Sequence, residues 1–575
     1  MRFFSTIVLC VSLAAQEAVA PFRFVPADSC LVVRTAAPAK WKQHFGKTQV
    51  AKLLGAETLA PFIAQANTAI DAGIEEIRSK GKFDADLLQR LLKDYTGDCV
   101  FSLQVDFSDA EAAFAGHRSP AMSVVCALTP DGSFDLGAMA IALQAFSEAD
   151  AQENRSPLKD LMVGDQRLRV TSDGPLQVAV PFLHEGHLIL LAASDLEKQA
   201  ARLLGAADRF EGEVDARPLS VLAKLDGPVD MLMKVVAARM KERPAPFDIA
   251  QMLQDFGLRS LKFASLALGA EDKHVVSEFH LSLGDGERGL FSTVMLDQAR
   301  PKLLRWVPGN SEAFSVGAFD AGALFAVVKS IWELMGDDVP ITFEKAMEAF
   351  TEATKVRLEE ELIAHLGTEM MTVGDAEAQI DAAALDETGS SPPILQGSCI
   401  GIALRNGKAF GESLEKILRS RGLHAARKTE DYADAQVHRM TLGAMLELEY
   451  VVTDDLLLLA LGKDEAARRN LRVVLDVRAK PGEGGEVAPA VAAHIAAVPA
   501  GWSGISVTQV PQILEATSIV FGTLPVMVGV DDPEALDMAV SVMKGLAGEM
   551  KRFGLQVMIS TSHTSERSLV QRLRW

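Results

Sequence analysis

The chain has 575 residues and a formal net charge of −20, from 77 acidic and 57 basic side chains. A chain of this length exceeds one comfortable hydrophobic core, so we expect two or more domains. Hydrophobic residues make up 49% of the sequence, which supplies a sizeable core. The acidic balance disfavours binding to nucleic acid and to anionic membrane surfaces, because both partners carry negative charge themselves.

The first twenty residues have the pattern of an export signal, with Arg2 followed by a short apolar run and small residues. An ordinary N-terminal strand is the alternative. We expect cleavage after Ala14 rather than after Ala20, because Pro21 follows Ala20 and hinders the protease. No later segment reaches about 18 uninterrupted apolar residues, so we expect no transmembrane segment after the signal peptide.

The spacing of apolar residues predicts a series of elements in the first half of the chain. In chain order they are a strand at 30–35, helices between 38 and 94, strands at 99–107 and 122–128, a helix at 136–146, strands at 176–182 and 188–193, and a helix at 196–204. Pro181 cannot donate to a strand ladder, so we expect it at an edge or a bulge. The run 188–193 is continuously apolar, which is typical of a strand covered on both faces.

Several segments of the first half recur in the second half in the same order. The stretch 22–29 returns at 304–311, where Pro26 and Pro308 occupy corresponding positions in a turn. Further matched pairs are Arg169–Thr171 with Arg439–Thr441, Leu176–Phe182 with Leu446–Val452, Leu188–Ala193 with Leu456–Leu461, and Phe256–Leu258 with Phe553–Leu555. Each Phe-Gly-Leu segment is predicted to end a helix at its glycine and to begin a strand.

These matches predict an α+β protein made of two tandem copies of one domain, at 21–295 and 301–575 after a signal peptide at 1–20. Each copy is expected to hold a large, mostly antiparallel sheet with helices packed on one face. The two period-two strands should superpose, with Leu176, Val178, Val180 and Phe182 lying on Leu446, Leu448, Tyr450 and Val452. In that pattern Glu447 and Glu449 would face away from the core.

Two residue pairs have spacings found in metal or catalytic sites, and we assign neither pair to such a site. His184 and His187 have tight spacing for a metal pair, but a hairpin turn predicts solvated side chains instead. Ser413 and Lys416 have the S-x-x-K spacing of some serine hydrolases, but the segment matches the start of an ordinary helix. The sequence therefore yields no catalytic, cofactor-binding or metal-binding residue and no cofactor.

Four cysteines remain after the signal peptide: Cys30, Cys99, Cys126 and Cys399. Their wide spacing in apolar segments favours buried thiols over a disulfide framework. If a disulfide forms, the pairing expected from the sequence joins Cys30 to Cys99, each near the start of a predicted strand.

The opening Phe24-Val-Pro-Ala-Asp-Ser29, followed by an apolar strand, resembles a group of large exported bacterial proteins of unknown function. The apolar run Leu188 to Asp195, echoed by Leu456 to Asp464, is similar to a later segment of the same group. The resemblance implies an exported location, periplasmic or extracellular, and supplies no catalytic residues.

The sequence favours a non-catalytic envelope or secreted protein with a ligand-binding, partner-binding or structural role. The alternative is a hydrolase whose active site is dispersed in sequence. We expect the working surface where the two copies meet, because clefts between domains are favoured ligand sites. The acidic surface points to a neutral or cationic ligand or to a protein partner.

Overall fold

A computed structural model describes the chain in segments. They are 24–55, 85–107, 120–153, 158–205, 217–242, 248–297, 300–335, 340–374, 398–461, 465–480, 502–511, 533–552 and 557–575, less 133, 174–175, 287, 310, 312, 443–445, 512–513 and 566, with isolated positions at 64–79, 491–496 and 514. The predicted signal peptide, most of 56–84 and the segment Phe553–Leu555 lie outside the described residues.

The chain divides into two compact units. The first falls within Met1–Arg243 and Leu261–Ser282, and the second within Pro244–Ser260 and Leu283–Trp575. The domain limits expected from the sequence, 21–295 and 301–575, stay a prediction.

Ten strands are described in the first unit. They are β1 (Leu31–Ala36), β2 (Asp98–Val105), β3 (Met122–Leu128), β4 (Lys159–Val163), β5 (Gln166–Asp173), β6 (Leu176–His184), β7 (His187–Ala193), β8 (Leu219–Lys224), β9 (Leu261–Glu271) and β10 (His274–Leu283). They lie side by side in the order β4-β5-β6-β7-β3-β2-β1-β8-β9-β10, with antiparallel pairing from β4 through β9.

Six helices are described between these strands. They are α1 (Pro38–Phe45), α2 (Gln49–Leu54), α3 (Ala85–Asp94), α4 (Leu136–Glu153), α5 (Leu196–Leu204) and α6 (Asp226–Glu242). Asp195 caps α5 by accepting a hydrogen bond from the Lys198 N–H at 3.1 Å. The predicted strand at 122–128 and helix at 196–204 are confirmed.

Ten strands are described in the second unit as well. They are β11 (Ala313–Ala318), β12 (Leu366–Gly374), β13 (Ser398–Leu404), β14 (Lys428–Tyr432), β15 (Ala435–Leu442), β16 (Leu446–Val452), β17 (Leu456–Leu461), β18 (Gly504–Gln509), β19 (Val557–Thr564) and β20 (Ser568–Arg574). Their order is β14-β15-β16-β17-β13-β12-β11-β18-β19-β20, antiparallel throughout.

Seven α-helices are described in the second unit. They are α7 (Ile249–Asp255), α8 (Ala321–Leu334), α9 (Phe343–Thr354), α10 (Leu358–Glu361), α11 (Gly407–Ser420), α12 (Glu465–Ala479) and α13 (Pro533–Arg552). The α+β class with large antiparallel sheets is therefore confirmed. No described helix is both long and apolar enough to cross a membrane.

The sheets are covered by helices on both faces, so the expectation of helices on one face is wrong. In β7, Leu188 and Leu190 belong to the core cluster of α3 and α4, whereas Ile189 and Leu191 belong to that of α5. In β17, Leu457 packs in the cluster of α11, while its neighbouring residues pack with α12. Because both faces are buried, these strands are apolar at nearly every position.

The matched turns and the bulge at Pro181 are confirmed. Ser29 and Ser311 each donate a backbone hydrogen bond to the carbonyl of Pro26 or Pro308, at 3.1 and 3.0 Å. The β6–β7 register shifts between Ala179 and Phe182, which places Pro181 in the bulge where its missing N–H is tolerated.

The expectation that Glu449 faces away from the core is wrong. Its side chain is only 2% exposed, because β16 is also covered on both faces. Arg439 Nε lies 2.9 Å from its carboxylate as an ion pair without hydrogen-bond geometry, and Arg472 donates a hydrogen bond at 3.0 Å. Arg468 completes the set at 3.9 Å.

The expected disulfide partners are also wrong. Leu31, the residue after Cys30, lies opposite Leu103, and the Cys30 thiol donates to the Leu103 carbonyl at 3.3 Å, whereas Cys99 lies opposite Thr35. Five residues separate Cys30 from Thr35, the partner of Cys99, which is about 17 Å along the strand and too far for a disulfide. Cys99 Sγ lies instead 3.5 Å from Cys126 Sγ.

The helix end at Gly257 is confirmed, with φ of +86°. Leu258 begins a 3₁₀ turn, Leu258–Ser260, rather than the predicted strand, which starts at Leu261.

Candidate functional site

A groove of about 590 Å³ lies between α8, α9 and α10 of the second unit. We call it the acidic groove and define it by an apolar floor of Phe325, Phe343, Met347 and Leu358 and a rim of Glu344, Glu348, Glu352, Glu359 and Glu360. Lys329 and Arg357 are the cations that line it. The floor residues are buried or half-buried, and the rim glutamates are exposed.

Local caps fix where these helices begin and end. Asp320 accepts hydrogen bonds from the N–H groups of Gly322 and Ala323, at 2.8 and 3.0 Å, and starts α8. Thr342 caps α9 in the same way at 3.3 Å. Lys355 ends α9 in the left-handed region with φ of +59°. The chain then turns directly into α10, which brings the third wall against α9.

Aromatic contacts hold the α8–α9 pair together. The ring of Phe343 lies edge-on to Phe325 at 5.6 Å and to Trp332 at 6.1 Å. Trp332 also donates its indole N–H to the carbonyl of Ile341 at 3.1 Å. The groove floor is therefore built on packed side chains and not on a mobile loop.

The acidic rim follows from helical spacing. Glu344, Glu348 and Glu352 are four residues apart, so they form one row along α9 at intervals of about 6 Å. Within the part of the chain that the structure describes, none of the three forms an ion pair. Lys329 is 3.9 Å from Glu333, and Arg357 pairs with Glu360, so both groove cations are already engaged.

A second cavity of the same unit is smaller and more polar. It has a volume of about 330 Å³ and lies between α11, β15 and β16. We call it the histidine pocket, for His438, which lines it together with Lys408, Arg427, Tyr450 and Asp454. Arg427 donates a hydrogen bond to the Tyr450 hydroxyl at 3.0 Å, and His438 Nδ1 is 3.0 Å from Thr429 Oγ1.

Burial and charge set the protonation of this pocket. Burial, and then the charge of Arg427, lower the pKa of His438, so its neutral form is favoured at neutral pH. Burial raises the pKa of Tyr450. Burial opposes ionisation of Glu415, but hydrogen bonds from Arg419 and Arg427 outweigh it and lower the pKa of that carboxyl.

The two histidines of the sequence analysis form no metal site. They lie opposite each other beside the β6–β7 turn, where Glu185 and Gly186 have positive φ. His187 is buried against Phe24 with ring centroids 4.8 Å apart, so its predicted solvation is wrong. Among the described residues no group of three or more His, Cys, Asp or Glu side chains is arranged to hold a metal ion.

Ser413 and Lys416 are not joined into a catalytic pair. Ser413 is buried in the middle of α11, whose N-cap is Asn406. Lys416 points to Glu361, with 3.4 Å between Nζ and Oε1. Neither cavity was predicted from the sequence, although the glutamates four residues apart in 343–354 were a visible signal for the acidic groove.

No protein-family model and no curated protein sequence matches the chain. Among solved structures, crystal forms I and IV of a protein named TP0453 are similar, at 9% and 7% identity. They cover 47% and 46% of this chain and 81% of theirs, with TM-scores of 0.21 and 0.22. A likeness at this level carries no argument about fold or function.

Proposed function

We propose that this protein is an exported, non-catalytic binding protein that holds a cationic, partly apolar ligand or partner in the acidic groove. The observation that carries the proposal is the groove itself, in which an apolar floor lies beside a row of glutamates without ion-pair partners in the described chain. A ligand with an apolar body and a positive charge satisfies both surfaces at once.

Physical arguments support this ligand class. Apolar burial against Phe325, Met347 and Leu358 supplies affinity in proportion to the area removed from water. The same contact brings a cation close to the exposed rim carboxylates, whose negative charges attract it. Phe325 and Phe343 add ring faces that attract positive charge, and Lys329 Nζ already lies 5.8 Å from the Phe343 centroid.

The test is a calorimetric titration of the full chain with dodecyltrimethylammonium below its micellar concentration. We expect saturable binding that weakens as salt is raised, because the rim charges are exposed and screened. Replacing Glu344, Glu348 and Glu352 together by Gln should weaken binding by about tenfold or more. Binding that is unchanged in this variant would contradict the proposal.

A matched control separates the groove from the overall acidity of the chain. Glu197, Glu412 and Glu465 are exposed glutamates outside the groove, and replacing them by Gln changes the net charge by the same amount. This control variant should bind the probe as the unaltered protein does. An equal loss of affinity in both variants would mean that binding of the probe depends only on the net charge of the protein.

We propose further that the two units are copies of one domain. The support is that each described set of ten strands has the same order, with β1 to β10 of the first corresponding to β11 to β20 of the second. A cavity of about 360 Å³ between α4, β5 and β6 corresponds in position to the histidine pocket. An experimental structure in which β6 and β16 occupy unrelated sheet positions would contradict the duplication.

The exported location and a site between the copies stay predictions. Export rests on the pattern of the first twenty residues and on the resemblance to exported bacterial proteins. The acidic groove lies within the second unit and does not depend on a cleft between the copies. The corresponding segment of the first unit lies largely outside the described residues.

A hydrolase is the second candidate, and the histidine pocket is the observation that favours it. A neutral His438 at 3.0 Å from the Thr429 hydroxyl has the arrangement of a base beside a nucleophile. The test is a screen of the full chain against esterase, peptidase, glycosidase and phosphatase substrates. Turnover that His438→Gln and Thr429→Val both abolish, with folding intact, would favour the hydrolase over the binding protein.

A further inference from the structure

We infer that the occupant of the acidic groove is a basic amphipathic helix supplied by a partner protein. The inference rests on the proposed function and narrows its ligand class to one partner. It follows from the periodicity of the groove, from the length of its charged row and from the balance of its charges.

Two rows with the same period run side by side along α9. The acidic row is Glu344, Glu348 and Glu352, and the neighbouring row is Phe343, Met347 and Thr351. Both repeat every four residues, and the acidic row extends over about 12 Å. A small amine pairs with one carboxylate at a time. A helix with Lys or Arg at i, i+4 and i+8 places one positive charge opposite each of the three glutamates.

The apolar part of the groove suits the other face of such a helix. Phe325, Met347 and Leu358 line it and are half-buried. Helices that dock in grooves bury residues at i, i+3, i+4 and i+7 against surfaces of this kind, and the flexible Met347 side chain adapts to their shape.

Charge balance points to a cationic partner. The groove has five glutamates against one lysine and one arginine, and both cations are held in ion pairs. Like charges four residues apart on a helix repel each other. A partner that brings three positive charges removes this repulsion, whereas an acidic or neutral helix does not.

The experiment compares two synthetic peptides of about 18 residues, roughly five helical turns, by fluorescence anisotropy against the full chain. One peptide has Leu on one face and Lys at successive i, i+4 positions beside it. The other has the same composition in an order that forms no apolar face. We expect the amphipathic peptide to bind at least about tenfold more tightly and to become helical on binding.

Variants of the rim locate the peptide on the protein. Replacing Glu344, Glu348 and Glu352 together by Gln should weaken the binding of the amphipathic peptide by about tenfold or more. Glu348→Lys alone should weaken it by a similar factor, because it reverses the central charge, and circular dichroism checks that both variants fold. The control triple of Glu197, Glu412 and Glu465 should leave binding unchanged.

The outcomes separate the inference from the proposed function. If dodecyltrimethylammonium binds in a manner that depends on the rim but the two peptides bind alike, the helical partner is wrong and the proposed function stands. If neither the amine nor either peptide binds, both are wrong. Peptide binding that the control triple weakens as much as the rim triple would also overturn the inference.

Discussion

A buried glutamate anchors the second unit at the scale of single residues. Glu449 of β16 is enclosed by Arg439 of β15 and by Arg468 and Arg472 of α12. A buried carboxylate is tolerated only when its charge is compensated, and here three guanidinium groups share that role. The cluster joins two strands to the helix that covers them.

We predict that Glu449→Gln destabilises the protein by about 3 kcal/mol, because it leaves the surrounding arginines without their buried counter-charge. The matched control is Glu447→Gln, which removes a half-exposed partner of Arg468 and should cost about 0 to 1 kcal/mol. Denaturant unfolding of both variants measures the difference. Equal midpoints for the two variants would show that the buried carboxylate contributes no more than the half-exposed one.

The thiols of the first unit lead to a second prediction. In the exported protein we expect a disulfide between Cys99 and Cys126, formed by a thiol–disulfide exchange catalyst that removes two protons and two electrons. Their Sγ atoms are 3.5 Å apart and must approach to about 2.05 Å. Mass mapping of non-reduced peptides checks the pairing.

The other two cysteines serve as internal controls. Burial raises the pKa of the Cys399 thiol to about 12, and it also raises the pKa of Cys30. Since the thiolate is the reactive form, both should remain reduced. A mapped link between Cys30 and Cys99, or between Cys126 and Cys399, would contradict the expected pairing.

Glycines at one helix end show how an element is held in place. Gly257 has φ of +86°, and a Cβ there would lie 2.1 Å from the carbonyl oxygen of Arg288. Gly289, with φ of +50°, has the reciprocal close approach to Asp255. The end of α7 and the turn at Gly289–Thr293 therefore pack backbone against backbone, which only glycine permits.

We predict that Gly257→Ala destabilises the protein by about 3 kcal/mol, from positive φ together with a backbone clash. Gly422→Ala is the control, because Gly422 has φ of +69° but open space around its Cβ position. That variant should lower the free energy of unfolding by about 1 to 2 kcal/mol, the cost of positive φ for alanine alone. Thermal unfolding measures both, and equal losses would mean that the close approach adds nothing.

Elements could be predicted from the sequence where one periodicity dominated. β3, α5 and the bulge at Pro181 were predictable because apolar spacing, capping and the missing proline N–H are local properties. The burial of Glu449 was not, because it depends on arginines of β15 and α12 that only the fold brings together. The acidic groove likewise depends on how α8, α9 and α10 pack, although the glutamate row of α9 is visible in the sequence.

For the whole molecule, the matched segments and strand orders suggest one architecture used twice. The N-terminus provides a test of the exported location. We predict that the mature protein begins at Ala15, because the bond after Ala20 precedes Pro21 and is a poor protease substrate. N-terminal sequencing of protein from its native host checks this, and a start at Met1 or at Pro21 would contradict it.

The row of glutamates on α9 also places like charges next to each other, and their repulsion destabilises this helix. Two like-charge pairs at i, i+4 cost roughly 0.4 to 1 kcal/mol together, and both salt and a cationic partner relieve that cost. Added salt screens this repulsion, so it should slow hydrogen exchange in α9, and it should also weaken the binding of a cationic partner. The relief of repulsion within α9 would then contribute most to the binding free energy at low ionic strength. Affinity for a cationic partner should therefore be highest at low salt.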